Sequence, residues 1–557
     1  MTNQPHPATP GGLVRRTLRR QRRGLAGAIA FITLWQVCEA AVPVLIGVVI
    51  DRAVATGDVE RLLLWGVVLC VHFTVLSLAY RFGSRIGFRA GQEESHLLRT
   101  EVSAHVLSPR GARLDRLPGD VLAVATGDAD LVAEVIDQVV YTVAGIAGLL
   151  VSAVVLATID PFIAVVVLVG VPLVLVCTQV LAPRLAHRAH ERQEAIGRAT
   201  GLATDLVRGL RPLKGIGAER TAHDRYRRQS REAMGASIAA ARWEGLLYGV
   251  TQTLSVVFLA VVALVAGKRA LDGDLTIGEL VAVVGLAQFV AEPMGMIAYL
   301  VAKLARSRAS ARRIVGLFAA PPLVHVGSRA ATGPAGLGFE SVSEGSLRSV
   351  TIEVAPGETV AVVAEDPSDA GALMHLLRGE GMPTAGRVLV AGVPLTELTI
   401  EESQRLLVVA EHHVDLFEGT LHSNIDPASR LDEQQFQAVL AASAAVDLPD
   451  EPVTVNGMTL SGGQRQRLGL ARALAADPPV LVLHDPTTAV DAVTEQRIAE
   501  GIDDVRRVDG ATLVLTSSPA LLARADRVVH LVDGEVVAVG THADLSAHEA
   551  YQAAVLR

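Results

Sequence analysis

Residues 460–474, LSGGQRQRLGLARAL, followed by residues 484–491, HDPTTAVD, decide how this 557-residue chain is read. Gly462 and Gly463 let backbone N–H groups approach an anion closely, and Ser461 adds a hydroxyl. The helix predicted from there onward turns the positive end of its dipole toward the same point. By composition this is an anion clamp. The same residues also make a serine cap on an amphipathic helix with its leucines inward. A bare cap, however, requires nothing of the residues that follow it, whereas PTTAVD stands at a definite spacing downstream.

Working outward, a chain of this length predicts at least two domains. Half of its residues are apolar. They are unevenly spread, because long uncharged runs fill the first 304 residues and an ordinary mixed composition fills the remainder. The net charge of −8 argues against a nucleic-acid partner, which would call for a basic patch. Cys38, Cys70 and Cys177 sit inside apolar runs without metal-like spacing, so neither a disulfide framework nor a metal site is expected.

Residues 1–17 begin with a Pro- and Gly-rich segment, MTNQPHPATPGG, and are expected to be a disordered tail. Arg15, Arg16, Arg19, Arg20, Arg22 and Arg23 precede an apolar run from Gly24 to Ile50, too long for a signal-peptide core. The arginines place the N-terminus in the cytoplasm. Further spans are predicted over 62–80, 139–159, 162–181, 245–266 and 275–304. Each is long enough for a hydrocarbon core of roughly 30 Å at about 1.5 Å per residue. The inside segments 81–138 and 182–244 are polar but helical in composition, which predicts cytoplasmic extensions of the spans with bends near 108–120 and 208–220. Glu39 lies mid-span, where a charge costs about 2.5–3.5 kcal/mol, and is a candidate for a substrate cavity or a helix contact; His72, Gln252 and Gln288 are weaker candidates of the same kind.

After a Gly-, Pro- and Ala-rich linker at 317–336, the runs TVAVVA, LLVVAE, PVLVLH, ATLVLTS and RVVHLVDGEVVAVG alternate with helical stretches. They predict an α/β domain over 337–557 with a mostly parallel sheet.

Together, SGGQ at 461–464 and HDPTTAVD resemble the signature motif and the Walker B and D-loop segment of ATP-binding cassette (ABC) transporters. RGLRPLKGIGAE resembles the second coupling-helix region of six-helix exporters of that family, GDVLAVATGDADLV the stretch after the first, and DLTIGELVAVVGLAQFVAEP the entry to the sixth span. The fold implied is an α-helical six-span transmembrane domain with long cytoplasmic helical extensions (residues 18–316), followed by an α/β ABC-type nucleotide-binding domain. The resemblance also implies a multi-pass protein of the plasma membrane with a cytoplasmic nucleotide-binding domain.

Against that pattern, VAVVAEDPSDAGALMHLL at 360–377 aligns with the phosphate loop but lacks its chemistry. Ala364, Pro367 and Asp369 stand where glycines belong, Ala370 where the lysine belongs and Gly371 where the magnesium-binding hydroxyl belongs, and Ala372 completes the degenerate loop. Losing the lysine forfeits charge-assisted hydrogen bonds of roughly 1.5–3 kcal/mol each. Glu365, Asp366 and Asp369 are expected to add repulsion of about 4 kcal/mol per carboxylate lying some 4 Å from a phosphate. His484 holds the position of the magnesium-organising aspartate and Asp485 that of the catalytic glutamate. Imidazole is a poor ligand for an oxygen-seeking ion, and Asp485 is one methylene shorter than glutamate. Glu411 corresponds to the Q-loop glutamine and Ser517 to the switch histidine. Before the sheet, FESVSEGSLRSVTIEV is too short for the family's adenine-stacking aromatic and its hairpin.

The altered positions all serve the chain's own nucleotide. Ser461, Gly462, Gly463, Gln464 and Asp491 belong to the parts this family presents to a partner's phosphate loop. The resemblance therefore implies the catalytically degenerate half of a heterodimeric transporter, with ATP and Mg²⁺ held at a site shared with a competent second half. A self-sufficient homodimeric ATPase pump and a non-transporting regulatory subunit are the alternatives. The substrate (peptide, lipid, drug or siderophore) and the direction of transport are left open.

Overall fold

The computed structural model describes residues 7–114, 118–331, 333–449, 451–454, 457–506 and 510–555. The chain divides into two compact units, one of Met1–Ser103 with Arg116–Ala319 and one of Ala104–Asp115 with Ala320–Arg557.

The first unit is helical throughout. Pro10–Arg20 form a helix, capped by the Thr9 hydroxyl, where the composition predicts a tail through residue 17; residues 1–6 lie outside the described part. Leu13 and Thr17 are fully buried on one face of this helix, and Arg16 and Arg20 bind Glu101 from the same side at 2.5 and 2.7 Å. Burial of that face stabilises the helix despite the low helix propensity of Gly11 and Gly12.

Long helices follow over Arg22–Val49, Val59–Val106, Val135–Ile159, Pro161–Arg208, Glu219–Leu271 and Ile277–Phe318. Among the described residues, five helical segments are long and apolar enough to cross a membrane, and a further apolar stretch occupies Pro161–Cys177. The predicted spans are thus embedded in longer helices, as their polar continuations suggested. Their ends are set locally. Asp160 caps the fourth long helix, accepting the Phe162 and Ile163 amides at 2.7 and 3.1 Å. Thr276 and Glu279 form a capping box at the start of the sixth. There Asp51 also accepts the Gly278 amide at 2.8 Å, and a Cβ on Gly47 would lie 2.4 Å from the Gly278 carbonyl oxygen, so only glycine permits this approach. The second predicted bend is a short helix over Leu210–Gly215 released by Gly217 at φ +65°. Of the first bend, residues 115–117 lie outside the described part.

The second unit is built on two sheets. β1 (Leu337–Glu344), β2 (Leu347–Val354), β4 (Ala385–Val390) and β5 (Val393–Pro394) form an antiparallel sheet in the order β2-β1-β4-β5. β3 (Thr359–Ala364), β6 (Leu407–Ala410), β7 (Val480–His484), β8 (Ala511–Leu515), β9 (Arg527–Val532) and β10 (Glu535–Gly540) form a second in the order β10-β9-β3-β8-β7-β6. Its pairings are parallel except β9 with β10. Each predicted apolar run became a strand. RVVHLVDGEVVAVG became two, because Asp533 and Gly534, at φ +49° and +79°, make the two-residue turn that Asp-Gly favours. β1 and β2 also form a hairpin, a tight one turning at Gly345–Ser346, and its aromatic residue Phe339 is 1% exposed in the core. The linker is laid along this unit: Gly327 donates to the Leu398 carbonyl and Arg329 to that of Glu397, both at 2.8 Å. Within the same unit, the Arg110 carbonyl accepts the Leu323 and Val324 amides, and the Arg113 guanidinium donates to the Glu380 carbonyl at 2.6 Å.

Candidate nucleotide site

The phosphate-loop positions fall at the end of β3, at Ala364, and in the first turns of the helix Pro367–Leu377, which holds Pro367, Asp369, Ala370, Gly371 and Ala372. Asp366 caps that helix, its carboxylate accepting the Ser368 amide at 2.8 Å; this bond holds its pKa below the ordinary aspartate value. The cap satisfies a helix-terminal N–H that would otherwise be free for an anion. Ala370, at the lysine position, is 9% exposed and packs into the core between the sheets. Gly371 faces open space, and Ala364 and Ala372 pack partly buried against the same core.

The expected repulsion is corrected at two of the three acidic residues. Asp369 is 1% exposed and accepts the buried Gly534 amide at 2.9 Å, so its carboxylate serves the β9–β10 turn and not the loop's mouth. Glu365 reaches the buried His530 at 3.2 Å, whose pKa is nonetheless pushed down by burial. The fully solvated Asp366 is left at the mouth. The residues present do not fit a magnesium nucleotide at this loop: a buried alanine stands at the lysine position and a glycine at that of the magnesium-binding hydroxyl, and Asp366 and Asp369 bond backbone amides of the fold.

His484 ends β7, and Asp485 follows at φ +48°, a conformation few non-glycine residues adopt. The His484 ring lies 3.8 Å from the Asp485 carboxylate and 6.3 Å, centre to centre, from His412. Burial lowers the His484 pKa, more than Asp485 raises it. A neutral imidazole beside one short carboxylate is a poor organiser of magnesium. Glu411, at the Q-loop position, is paired with Arg378 at the end of the phosphate-loop helix. It lines a cavity of about 440 Å³ with His412, His413, His484 and Asp485. Ser517 is exposed, and Asp526 accepts the Thr359 amide at 2.9 Å.

The signature segment is ordered differently. Ser461 caps the helix Gly462–Ala475 in a capping box: its hydroxyl accepts the Gln464 amide at 3.3 Å, and Gln464 Oε1 accepts the Ser461 amide at 2.8 Å. Ser461 and Gly462 are exposed. A Cβ on Gly463 would fall 2.6 Å from the Ala489 carbonyl oxygen, so glycine is required for the helix to lie against the loop after β7. Asp491 caps the next helix through the Val493 and Thr494 amides at 3.1 and 3.0 Å, which lower its pKa.

Two residues that sequence reasoning passed over hold this arrangement. Gln466 donates to Thr488 Oγ1 and accepts from the Ala489 amide, both at 2.7 Å, tying the signature helix to the D-loop segment. Arg472 binds the Asn424 and Asp415 carbonyls at 2.7 and 2.8 Å and lies over the Phe417 ring. The signal for the first is a glutamine on the apolar face of the helix, one turn before Leu470. Nothing local marked the second.

The family pattern described as ABC transporter transmembrane region matches residues 25–294, and that described as ABC transporter matches residues 347–488. The chain belongs to the ABC transporter family. It is 30% identical over 540 residues, 94% of its length, to the multidrug efflux ATP-binding/permease protein of Mycobacterium tuberculosis, and spans only 45% of that relative. To the ATP-dependent lipid A-core flippase of Burkholderia orbicola it is 30% identical over 381 residues, 66% of this chain and 64% of the other. The solved structure of a bacterial Atm1-family ABC exporter with ATP bound superposes with a TM-score of 0.76 at 22% identity, covering 96% of this chain and 98% of that one. This ABC transporter thus shares the fold of that solved chain, a helical membrane domain with several apolar helices fused to a nucleotide-binding domain.

Proposed function

We propose that this chain is the catalytically degenerate half of a heterodimeric ABC transporter that moves its cargo outward across the plasma membrane. The single observation that supports this reading most is the contrast between the two anion sites. Ser461 and Gly462 stand exposed on a capped helix, whereas Ala370 is packed into the core and Asp369 is turned to Gly534. A chain with the first and without the second completes another subunit's site but not its own.

In this reading a second, competent half-transporter supplies the phosphate loop, the magnesium-binding aspartate, the catalytic glutamate and the switch histidine. ATP and Mg²⁺ sit on the partner's loop. Ser461, Gly462, Gly463 and Gln464 offer that nucleotide a hydroxyl, backbone amides and a helix N-terminus, and Asp491 steadies the adjoining segment. The bound nucleotide supplies the closing force; this chain's residues bind and orient. The bends near 108–120 and 208–220 carry closure to the spans, whose polar positions, Glu39 among them, face the cargo. Drug efflux and lipid flipping, named for the relatives, support a hydrophobic or amphipathic cargo.

The test is Ser461→Arg in the assembled pair. The expected result is loss of ATP turnover with assembly retained, while Ala370→Lys leaves turnover unchanged. Turnover retained in the Ser461 variant contradicts the role.

A further inference from the structure

Residues 1–38 hold six arginines and no Asp or Glu, the first acid being Glu39. The structure divides these arginines into two sets. Arg16 and Arg20, on the helix Pro10–Arg20, both bind Glu101, at 2.5 and 2.7 Å. Between them the buried Thr17 hydroxyl donates to the fully buried Glu94 at 3.0 Å. Arg15, Arg19, Arg22 and Arg23 are exposed, and among the described residues they form no ion pair.

The carboxylates at hand are already engaged. Glu94 and Glu101 face the first set, and Glu93, on the same helix, is paired with Arg89 at 2.7 Å. A Cβ on Gly24 would lie 3.0 Å from the Ala90 side chain, so the start of the first span lies against the turn that carries this pair. Four guanidinium groups are thus held together without a counter-charge. Like charges four residues apart, as Arg15 and Arg19 are, weaken a helix, and an anion between them reverses that sign.

Position decides which anion. Arg23 directly precedes the apolar run from Gly24 to Ile50, so the cluster stands where lipid headgroups begin. The apolar face of the helix is not available to lipid tails, because Leu13 and Val14 are buried in the protein. Only the charged face is left for the membrane. A second set of exposed arginines, Arg225, Arg227, Arg228 and Arg231, gives the contrast. Arg231 lies about 21 Å of helix before the span predicted from residue 245, beyond the reach of a headgroup layer.

We propose that Arg15, Arg19, Arg22 and Arg23 bind the headgroup phosphate of anionic phospholipid in the inner leaflet, as a resident ligand and not as cargo. Guanidinium forks match phosphate oxygens in pairs. Because Arg16 and Arg20 fasten the same helix to Glu101, a held headgroup also ties the helix Val59–Val106 to the membrane surface. The proposal goes beyond the reading of the chain as a degenerate half and does not depend on it.

The test is native mass spectrometry of the full chain in detergent, titrated with phosphatidylglycerol or with phosphatidylcholine. Phosphatidylglycerol is expected to bind about tenfold or more tightly and to raise the thermal midpoint. Both effects should vanish in Arg15→Gln/Arg19→Gln/Arg22→Gln/Arg23→Gln. They should persist in Arg225→Gln/Arg227→Gln/Arg228→Gln/Arg231→Gln, which removes the same charge. If the first variant does not fold, Arg22→Gln/Arg23→Gln, outside the helix fastened to Glu101, should still cut the preference severalfold. Equal binding of the two lipids by the unaltered chain, or equal loss in both quadruple variants, overturns the proposal. Displacement of the lipid by an equal concentration of soluble glycerophosphate also overturns it, by assigning the arginines to free phosphate. The Ser461→Arg variant should keep the lipid preference, so failure of the turnover role and failure of the lipid site are read separately.

Discussion

The carboxylate of Asp369 accepts the amide of Gly534 at 2.9 Å, both groups buried, so an acid at a phosphate-loop position acts as a strut for the β9–β10 turn. Gly534 cannot be replaced there, since a Cβ would lie 2.0 Å from the Ser346 carbonyl oxygen. Asp369→Ala is therefore expected to destabilise the nucleotide-binding domain by about 1–3 kcal/mol, the cost of leaving a buried N–H unsatisfied. Denaturant unfolding measures it. A neutral outcome would mean that the carboxylate carries no structural load and the loop is free to be repaired.

Repair of the lysine alone is expected to fail. Ala370 faces the core at 9% exposure, and a lysine there must rotate out past packed neighbours to meet a loop that already has its helix capped by Asp366. Nucleotide titration of Ala370→Lys should match the unaltered chain. Tight Mg-ATP binding would show that one residue separates this loop from a competent one.

Gly463→Ala tests the signature helix from within. The added methyl would fall 2.6 Å from the Ala489 carbonyl, and the helix can move only by stretching the Gln466 bonds to Thr488 and Ala489. ATP turnover of the assembled pair should drop by about tenfold or more, since misplacing a positioning group by an ångström has that order of effect. Gln466→Ala should lower it in the same direction, and equal turnover in both variants and the unaltered pair would remove the signature helix from the site.

Acid should loosen the second unit. The pKa values of His530 and His484 are both depressed by burial below the ordinary 6.5, so each is neutral in the fold and charges more readily when unfolded. Their contribution is fully present above that ordinary value and is lost as pH falls through it toward the lower folded values. The thermal midpoint should fall between pH 7 and 5.5, and less steeply in His530→Gln. An identical slope in that variant would place the acid sensitivity elsewhere.

Much of this could be read from the residues, for reasons that differ by region. Apolar runs of span length and β-rich runs bounded by turns write their structure in composition, so the spans and β3, β6, β7 and β8 stand where the pattern puts them. The capping box at Ser461 and the Asp533–Gly534 turn are local and need no distant partner. What escaped depends on contacts across the chain. Asp369 meets Gly534 from 165 residues away, Arg378 meets Glu411 from 33, and Gln36 lies beside Phe289 across a glycine of a third helix. The helix Pro10–Arg20 escaped for another reason: its stability comes from burying Leu13 and Thr17, which propensity alone does not register.

The most direct measurement is Mg-ATP turnover of the purified chain in lipid nanodiscs, alone and then co-assembled with a competent half-transporter. The expected result is no turnover alone, turnover in the pair, and its loss when Ser461→Arg is introduced. Turnover by the chain alone that disappears in Asp485→Asn would contradict the account and make this chain its own motor.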